Sequence, residues 1–229
     1  MPMTKTKEIE KINNFLVNNE KIEFNSKNYE NIEFIYGIAI KEIKHKLEIL
    51  KEEYKMFYNY DLIDHINERI KSKESISKKM TKKGIDFTYS KMIENINDIA
   101  GVRVICPLKK YIYTIRKLIT NLPGIKILKE KDYITNPKKS GYSSYHMILE
   151  VPVTLSKNSV YVKVEVQIRT MAMDFWASLE HKMKYKNNKD VSKNVSKELV
   201  QCAKIVNKLD NKMLLLNSWK KQNKNKSYI

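Results

Sequence analysis

Between Val160 and Arg169 the chain alternates without a break. Val160, Val162, Val164, Val166 and Ile168 fall on one side, and Tyr161, Lys163, Glu165, Gln167 and Arg169 on the other. Successive side chains of a strand point to opposite faces, so such a run buries one face and turns the other toward solvent or a ligand. Any fold for this chain must therefore supply a sheet with one apolar and one polar face, and the polar face carries a carboxylate among cations.

Three further segments read as strands. Asp98 to Cys106 is β-branched and apolar and is stopped by Pro107. Ile125 to Ile134 is the second. Ser144 to Val153 is the third, with Tyr145, Met147, Leu149 and Val151 on one face. Helical spacing marks Asn28 to Phe57, through Ile32, Ile35, Ala39, Ile43, Leu50, Tyr54 and Phe57, with a linker at Asn59 and Asp61 after it. Ser72 to Lys83 reads as a helix capped by Ser72 or Ser75 and ended by Gly84. Leu108 to Leu122 is another, ended by Pro123-Gly124, and Thr170 caps a helix that runs to about Tyr185.

The C-terminal segment differs. Val195, Leu199, Cys202, Val206, Leu209, Met213 and Leu216 form a heptad stripe, which suits packing on the chain's own domain or against another subunit. Its basic end, Lys220 to Lys226, is expected to fray. The 229 residues suit one domain with helical extensions: an N-terminal helical region at 1–58, a central domain at 59–190, and a C-terminal helix with a basic tail at 191–229.

No apolar run approaches the roughly 20 residues of a membrane span. Met1 to Glu20 lacks the apolar centre of a signal peptide, so the cytoplasm is the expected compartment. Cys106 and Cys202 both lie on apolar patterns and are expected to be buried thiols, and a zinc site is not supported. The net charge of +18 attracts polyanions such as nucleotides, RNA or a membrane surface, and does not choose among them. A lysine- and asparagine-rich coding bias accounts for part of it.

Three segments could carry chemistry. Glu165 lies between Lys163 and Gln167 with Arg169 beyond, which reads as a surface salt-bridge ladder or a phosphate site. Asp98 opens a second strand and is followed by Arg103. Two carboxylates from neighbouring strands suit Mg²⁺, which takes one or two protein carboxylates and fills its shell with phosphate and water. Asp98 and Arg103 are five residues apart, so they share a face only if Gly101 hosts a bulge or Asp98 precedes the regular strand. The second segment runs from Arg69 through Lys71 and Ser75 to Lys79. It reads as a phosphate-binding helix start or an ordinary capped basic helix. The third, Pro137 to His146, has Gly141 for a tight turn, Tyr142 as a ring for base stacking, and His146 off the core face. The chain contains no P-loop, no dinucleotide fingerprint and no nucleophile elbow.

In order, Arg69-Ile-Lys-Ser…Ser75, Asp98-Ile-Ala-Gly-Val-Arg103, Lys138…Ser140-Gly-Tyr-Ser-Ser-Tyr-His146, Glu165-Val-Gln-Ile-Arg-Thr170 and Met171-Ala-Met-Asp-Phe-Trp closely resemble the synthetase domain of the RelA/SpoT family, in particular its small RelQ-type members. The resemblance spans about Tyr60 to Tyr185. It implies an α+β fold, a mixed β-sheet flanked by helices and related to nucleotidyltransferases. It also implies transfer of the β,γ-pyrophosphate of ATP to the 3′-hydroxyl of GMP, GDP or GTP, which yields AMP and the stringent-response alarmones pGpp, ppGpp or pppGpp. Arg69, Lys71, Ser75, Lys79 and Arg103 match its ATP-contacting positions, and Asp98 and Glu165 its Mg²⁺ ligands, with Glu165 also a candidate base. Tyr142 matches the ring that stacks on guanine. Lys131, Lys138, His146, Gln167 and Asp174 match the rest of the acceptor pocket.

This chain departs from the pattern in three places. Lys131 replaces arginine, Ser143 replaces arginine and Asp174 replaces asparagine, and the two lost or weakened phosphate contacts at 131 and 143 point toward a shorter acceptor. The resemblance further implies a homotetramer, an alarmone effector and single-stranded RNA as a partner. A different class of reading, a basic RNA-binding or regulatory protein with little catalytic activity, fits the lysine excess but not the intact Asp98/Glu165 pair. Alarmone hydrolysis lacks its adjacent His-Asp pair.

Overall fold

The computed structural model describes residue 24 and residues 26–156, 159–186 and 193–226. Of the N-terminal region expected to be helical at 1–58, residues 1–23 lie outside the described residues, and Ser26–Tyr58 is one helix. The elements, in chain order, are α1 (Ser26–Tyr58), β1 (His65–Ile70), α2 (Lys73–Lys83), α3 (Tyr89–Asn95), β2 (Ala100–Cys106), α4 (Lys109–Thr120), β3 (Lys126–Asp132), β4 (Tyr145–Thr154), β5 (Ser159–Thr170), α5 (Met171–Lys186) and α6 (Lys193–Lys226). The strands form one five-stranded sheet ordered β1-β2-β5-β4-β3. Only β2 and β5 are parallel, and every other neighbouring pair is antiparallel. The mixed α+β architecture is the one expected.

The alternation that constrains β5 is realised fully. Val162, Val164, Val166 and Ile168 are buried and point into the core with Met147, Leu149, Val151 and Val153 of β4 and Val102 and Val104 of β2. The same core holds Ile32, Ile35, Ala39, Ile43, Leu47 and Leu50 of α1, so that helix lies across the apolar face of the sheet. Phe57 departs from the stripe: it is 72% exposed beyond the end of the sheet. Asn59 follows with φ 51°, the left-handed conformation that ends helices and that asparagine tolerates.

Two elements escape the patterns. β1, His-Ile-Asn-Glu-Arg-Ile, is a polar edge strand paired with β2 on one side only. α3 is a short helix capped by Thr88. Ser72 rather than Ser75 caps α2, accepting from Ser75 N–H, and Gly84 closes it with φ 63°. Asp98 precedes the regular strand, and β2 pairs in unbroken register with both neighbours, so Gly101 hosts no bulge. The sheet's irregularity lies in β3, between Ile127 and Lys129.

α6 packs on its own domain, but not through the whole heptad stripe. Leu199, Ala203 and Val206 meet Trp176, Ala177 and Tyr142. The Trp176 indole donates to the Leu199 carbonyl at 3.0 Å, and the Thr170 hydroxyl donates to buried Asp210 at 2.8 Å. Leu209, Met213 and Leu216 face outward. Cys202 is exposed, contrary to the expectation of a buried thiol, because it sits on the outward side of this helix; Cys106 is buried as expected. The helix continues through Lys226, where fraying is expected.

Because α1 shares the sheet's core, Ile43→Ala should destabilise the whole unit by about 2–5 kcal/mol. A single cooperative urea transition at lower midpoint checks this; an early transition confined to helical signal would contradict the shared core.

Candidate active site

The polar face of the sheet is built by register. Gly101 lies beside Glu165 and Arg103 beside Gln167 across the β2–β5 pair, and His146 lies beside Gln167 and Ile148 beside Glu165 across β4–β5. Lys131 of β3 lies beside His146. Asp98 enters from the segment after α3. Lys163 and Lys83 donate to the α3 carboxyl-end carbonyls of Ile93 and Asn95, at 3.0 and 2.7 Å, and so hold that segment in place. The buried Ile96 and Ile99 flank Asp98, and the Lys71 N–H donates to the Ile99 carbonyl.

Asp98 accepts from two ammonium groups, Lys79 at 2.6 Å on Oδ1 and Lys71 at 3.0 Å on Oδ2. Burial pushes its pKa up, but the hydrogen bonds and charges of Lys79 and Lys71 outweigh this and hold it below the ordinary carboxylate range. Glu165 is satisfied differently, by His146 Nδ1 at 3.1 Å and Gln167 Nε2 at 2.7 Å. Burial raises its pKa and nearby Asp98 adds to that, yet His146 and Gln167 leave it net lowered.

A closed circuit runs on from there. The Tyr142 hydroxyl is 2.8 Å from His146 Nε2, and Arg169 donates at 2.6 Å both to that hydroxyl and to Gln167 Oε1. Arg169 is buried; it also donates to Ser144 and to Asp174. Asp174 in turn holds Arg103 at 3.0 Å.

Two polar clefts open on this face. The first, about 370 Å³, is lined by Asn67, Glu68, Arg69 and Lys71 from β1 and the residue after it, by Gly101, Val102 and Arg103 of β2, and by Gln167. The second, about 270 Å³, is lined by Lys79, Lys83, Lys129, Lys131, Lys138 and His146, together with Tyr133. Asp98 and Glu165 are the residues that line both. Two carboxylates with no third protein ligand suit a hard divalent cation that completes its shell from phosphate and water. The Lys71 and Lys79 ammonium groups already stand as positive charges on Asp98, which shows that the position favours a cation.

Of the expected site residues, the structure thus gathers Arg69, Lys71, Asp98, Arg103, Glu165 and Gln167 at the first cleft, and Lys79, Lys131, Lys138 and His146 at the second. Ser75 lines neither; its hydroxyl meets that of Ser72 at 3.1 Å. Tyr142 and Asp174 stand behind the clefts in the hydrogen-bond circuit. Ser143 faces a separate, mainly apolar cavity of about 240 Å³ against α6, with Met173, Trp176 and Ala203. Ser143 lines neither polar cleft.

Tyr133 was not singled out by sequence. Its ring meets His146 edge-on with centroids 5.2 Å apart, and the Lys138 ammonium lies 4.7 Å from its centre and 4.6 Å from that of Tyr142. The signal available was its position two residues beyond Lys131, on the same side of the strand's continuation.

Two basic clefts that share a carboxylate pair define a site for two anionic substrates, the arrangement of a phosphate-transfer enzyme. The family model of the region found in RelA / SpoT proteins matches residues 68–190. The GTP pyrophosphokinase YwaC of Bacillus subtilis is 45% identical over 186 residues, 81% of this chain and 89% of that protein. The crystal structure of small alarmone synthetase 2 from B. subtilis superimposes with TM-score 0.76 at 42% identity, covering 83% of this chain and 98% of that one. Small alarmone synthetase 1 from the same organism, bound to its product pppGpp, gives TM-score 0.79 at 30% identity, over 84% and 98% of the two chains. The chain belongs to the RelA/SpoT family.

The lowered pKa of Asp98 has a defined sign. A carboxyl held below its unfolded value contributes stability that is present above that value, here 3.8, and is lost as pH falls through the folded one. Asp98→Asn should therefore flatten the acid limb, losing less stability than the wild type between about pH 5 and pH 2. Urea midpoints measured across that range check it, and parallel curves would refute the pairing.

Proposed function

We propose that this protein is a small alarmone synthetase. It moves the β,γ-pyrophosphate of ATP to the 3′-hydroxyl of a guanine nucleotide and releases AMP with a (p)ppGpp or pGpp alarmone. The observation that carries the reading is the sharing of Asp98 and Glu165 by two otherwise separate basic clefts. A donor in one and an acceptor in the other bring their reacting atoms together at that pair.

The first cleft is the donor side. Arg69, Lys71 and Arg103 meet the triphosphate there, and Arg103 lies within reach of the charge that moves to the leaving group. The second is the acceptor side. Lys131 and Lys138 take the 5′-phosphates, Tyr133 lines the cleft, and Tyr142, braced by Arg169, stands behind it. Lys79 stands on Asp98 at the boundary. Asp98 and Glu165 would hold Mg²⁺, which would supply positive charge to neutralise the reacting phosphates. The bond from the acceptor 3′-oxygen to the β-phosphorus forms as that from the β-phosphorus to the α,β-bridging oxygen breaks. The electron pair leaves on AMP. The 3′-hydroxyl proton passes to Glu165, a weak base with its lowered pKa, and on to water.

Five lysines line the acceptor cleft, so the cations present do not select the short acceptor that the replacements at Lys131 and Ser143 first suggest. Lysine offers point charges without the fork of arginine, which suits phosphate chains of more than one length. No helix among the described residues is long and apolar enough to cross a membrane. This accords with work on dissolved nucleotides in the cytoplasm.

The outward faces of Leu209, Met213 and Leu216 on α6 support assembly into a homotetramer. Light scattering should give a mass well above one chain, and Leu209→Asp with Met213→Asp should lower it. A wild type that stays monomeric at every concentration would refute assembly.

The reaction is tested by incubating the protein with Mg²⁺, ATP and GMP, GDP or GTP in turn and following AMP. We expect release that requires both the acceptor and the metal. Glu165→Gln should lower it by at least about 10²-fold, the scale of one electrostatic or acid–base contribution. Undiminished activity in Glu165→Gln would overturn the assignment of that carboxylate. No AMP with any acceptor would overturn the function.

A further inference from the structure

Asp174 occupies an unusual position for a residue expected to read a guanine edge. Its Oδ1 is 3.0 Å from NH1 of Arg103 and 3.0 Å from NH1 of Arg169. The first arginine lines the donor cleft, and the second braces Tyr142 on the acceptor side. One carboxylate oxygen thus ties together a cation from each side, while Asp174 itself lines neither polar cleft.

What Asp174 leaves unused on Arg103 points the same way. A guanidinium binds phosphate best through two parallel N–H bonds. Asp174 takes NH1, and the Arg103 Nε is buried with no hydrogen-bond partner. A buried donor without a partner costs free energy unless a ligand supplies one. Arg103 is therefore held through one end of its guanidinium by Asp174, with its Nε shut off from water, and it lines the first cleft beside Arg69 and Lys71.

From this geometry we infer that Asp174 is a positioning residue for the donor site: it holds Arg103 in place to meet the ATP in the first cleft. This rests on the donor reading of the first cleft. The role belongs to aspartate rather than asparagine because a full negative charge is needed to hold two guanidinium groups on one oxygen without their mutual repulsion driving Arg103 away.

The test reads donor binding alone, with no guanine nucleotide present. Binding of α,β-methylene ATP with Mg²⁺ is measured by calorimetry for the wild type, Asp174→Ala, Arg103→Ala and the double variant. Deleting a carboxylate near a polyanion would by itself tighten binding. We expect the reverse: Asp174→Ala should weaken the analogue by about tenfold, as befits one misplaced charged hydrogen bond. In the Arg103→Ala background the same change should cost less than about twofold, because the effect acts through Arg103.

Unchanged or tighter binding in Asp174→Ala would overturn the inference. So would an equal loss in both backgrounds, or a loss seen only when GDP is titrated. Should Asp174→Ala fail to fold because Arg169 is left buried without its partner, Asp174→Ala with Arg169→Met is read against Arg169→Met alone, with the same expected weakening. Wild type that releases AMP while Asp174→Ala keeps full donor affinity sinks only this inference. Wild type that neither binds the analogue nor releases AMP sinks the function as well.

Discussion

Glu165 can only accept hydrogen bonds and Arg169 can only donate them, and both stand on the same face of β5. Much of the site follows from satisfying these two groups away from water. Gln167, between them in sequence, accepts from Arg169 and donates to Glu165. On the other route Arg169 donates to the Tyr142 hydroxyl, which donates to His146 Nε2, leaving Nδ1–H to donate to Glu165. For a neutral imidazole the two ends fix the direction of each bond, and with it the tautomer that carries the proton on Nδ1. A network in which every member is satisfied resists rearrangement, whereas a partly satisfied one would be worse than an apolar patch. Preorganisation of the Tyr142 ring and the Glu165 carboxylate is thus a by-product of burying an arginine.

The other carboxylate is held by a different principle. Asp98 is surrounded by mobile point charges rather than by a rigid circuit. Lys71 and Lys79 neutralise it; in the proposed reaction Mg²⁺ held by Asp98 and Glu165 would free both ammonium groups for the phosphates. The excess positive charge of the chain has a local counterpart in the five lysines that line the second cleft.

Legibility from sequence followed the strength of periodic signals. β5, β4 and α1 bury one face each, so their apolar periods of two and 3.6 stand out, and β5 placed Glu165 on the polar face directly. β1 was invisible because an edge strand needs no apolar run; polar residues there guard against further pairing. The ordered motifs named Asp98, Arg103 and His146 before any geometry. They could not reveal that Asp174 is shared by two arginines or that Ser143 turns away from the clefts, since both depend on how α5 and the Gly141 turn approach β5. Cys202 was misjudged for a related reason: a heptad stripe states that a helix has an apolar seam, not which part of it the domain covers.

The turn at Gly141 shows how the acceptor side depends on a segment outside the region matched by the family. Gly141 has φ 88°, and a Cβ there would collide with Cβ of Ala203 on α6. Both facts require glycine: one for the backbone conformation, the other because loop and helix meet with no room for a methyl group. The contact lets Ala203, Leu199 and Val206 close over Trp176 and the inner side of Tyr142. It also sets the loop's height above β4, and with it the reach of the Tyr142 hydroxyl to both Arg169 and His146. Helix α6 is itself pinned at Thr170, the last residue of β5, through Asp210. The strand that carries Glu165 and the loop that carries Tyr142 are therefore referenced to one helix, and a shift of that helix would move both ends of the circuit together.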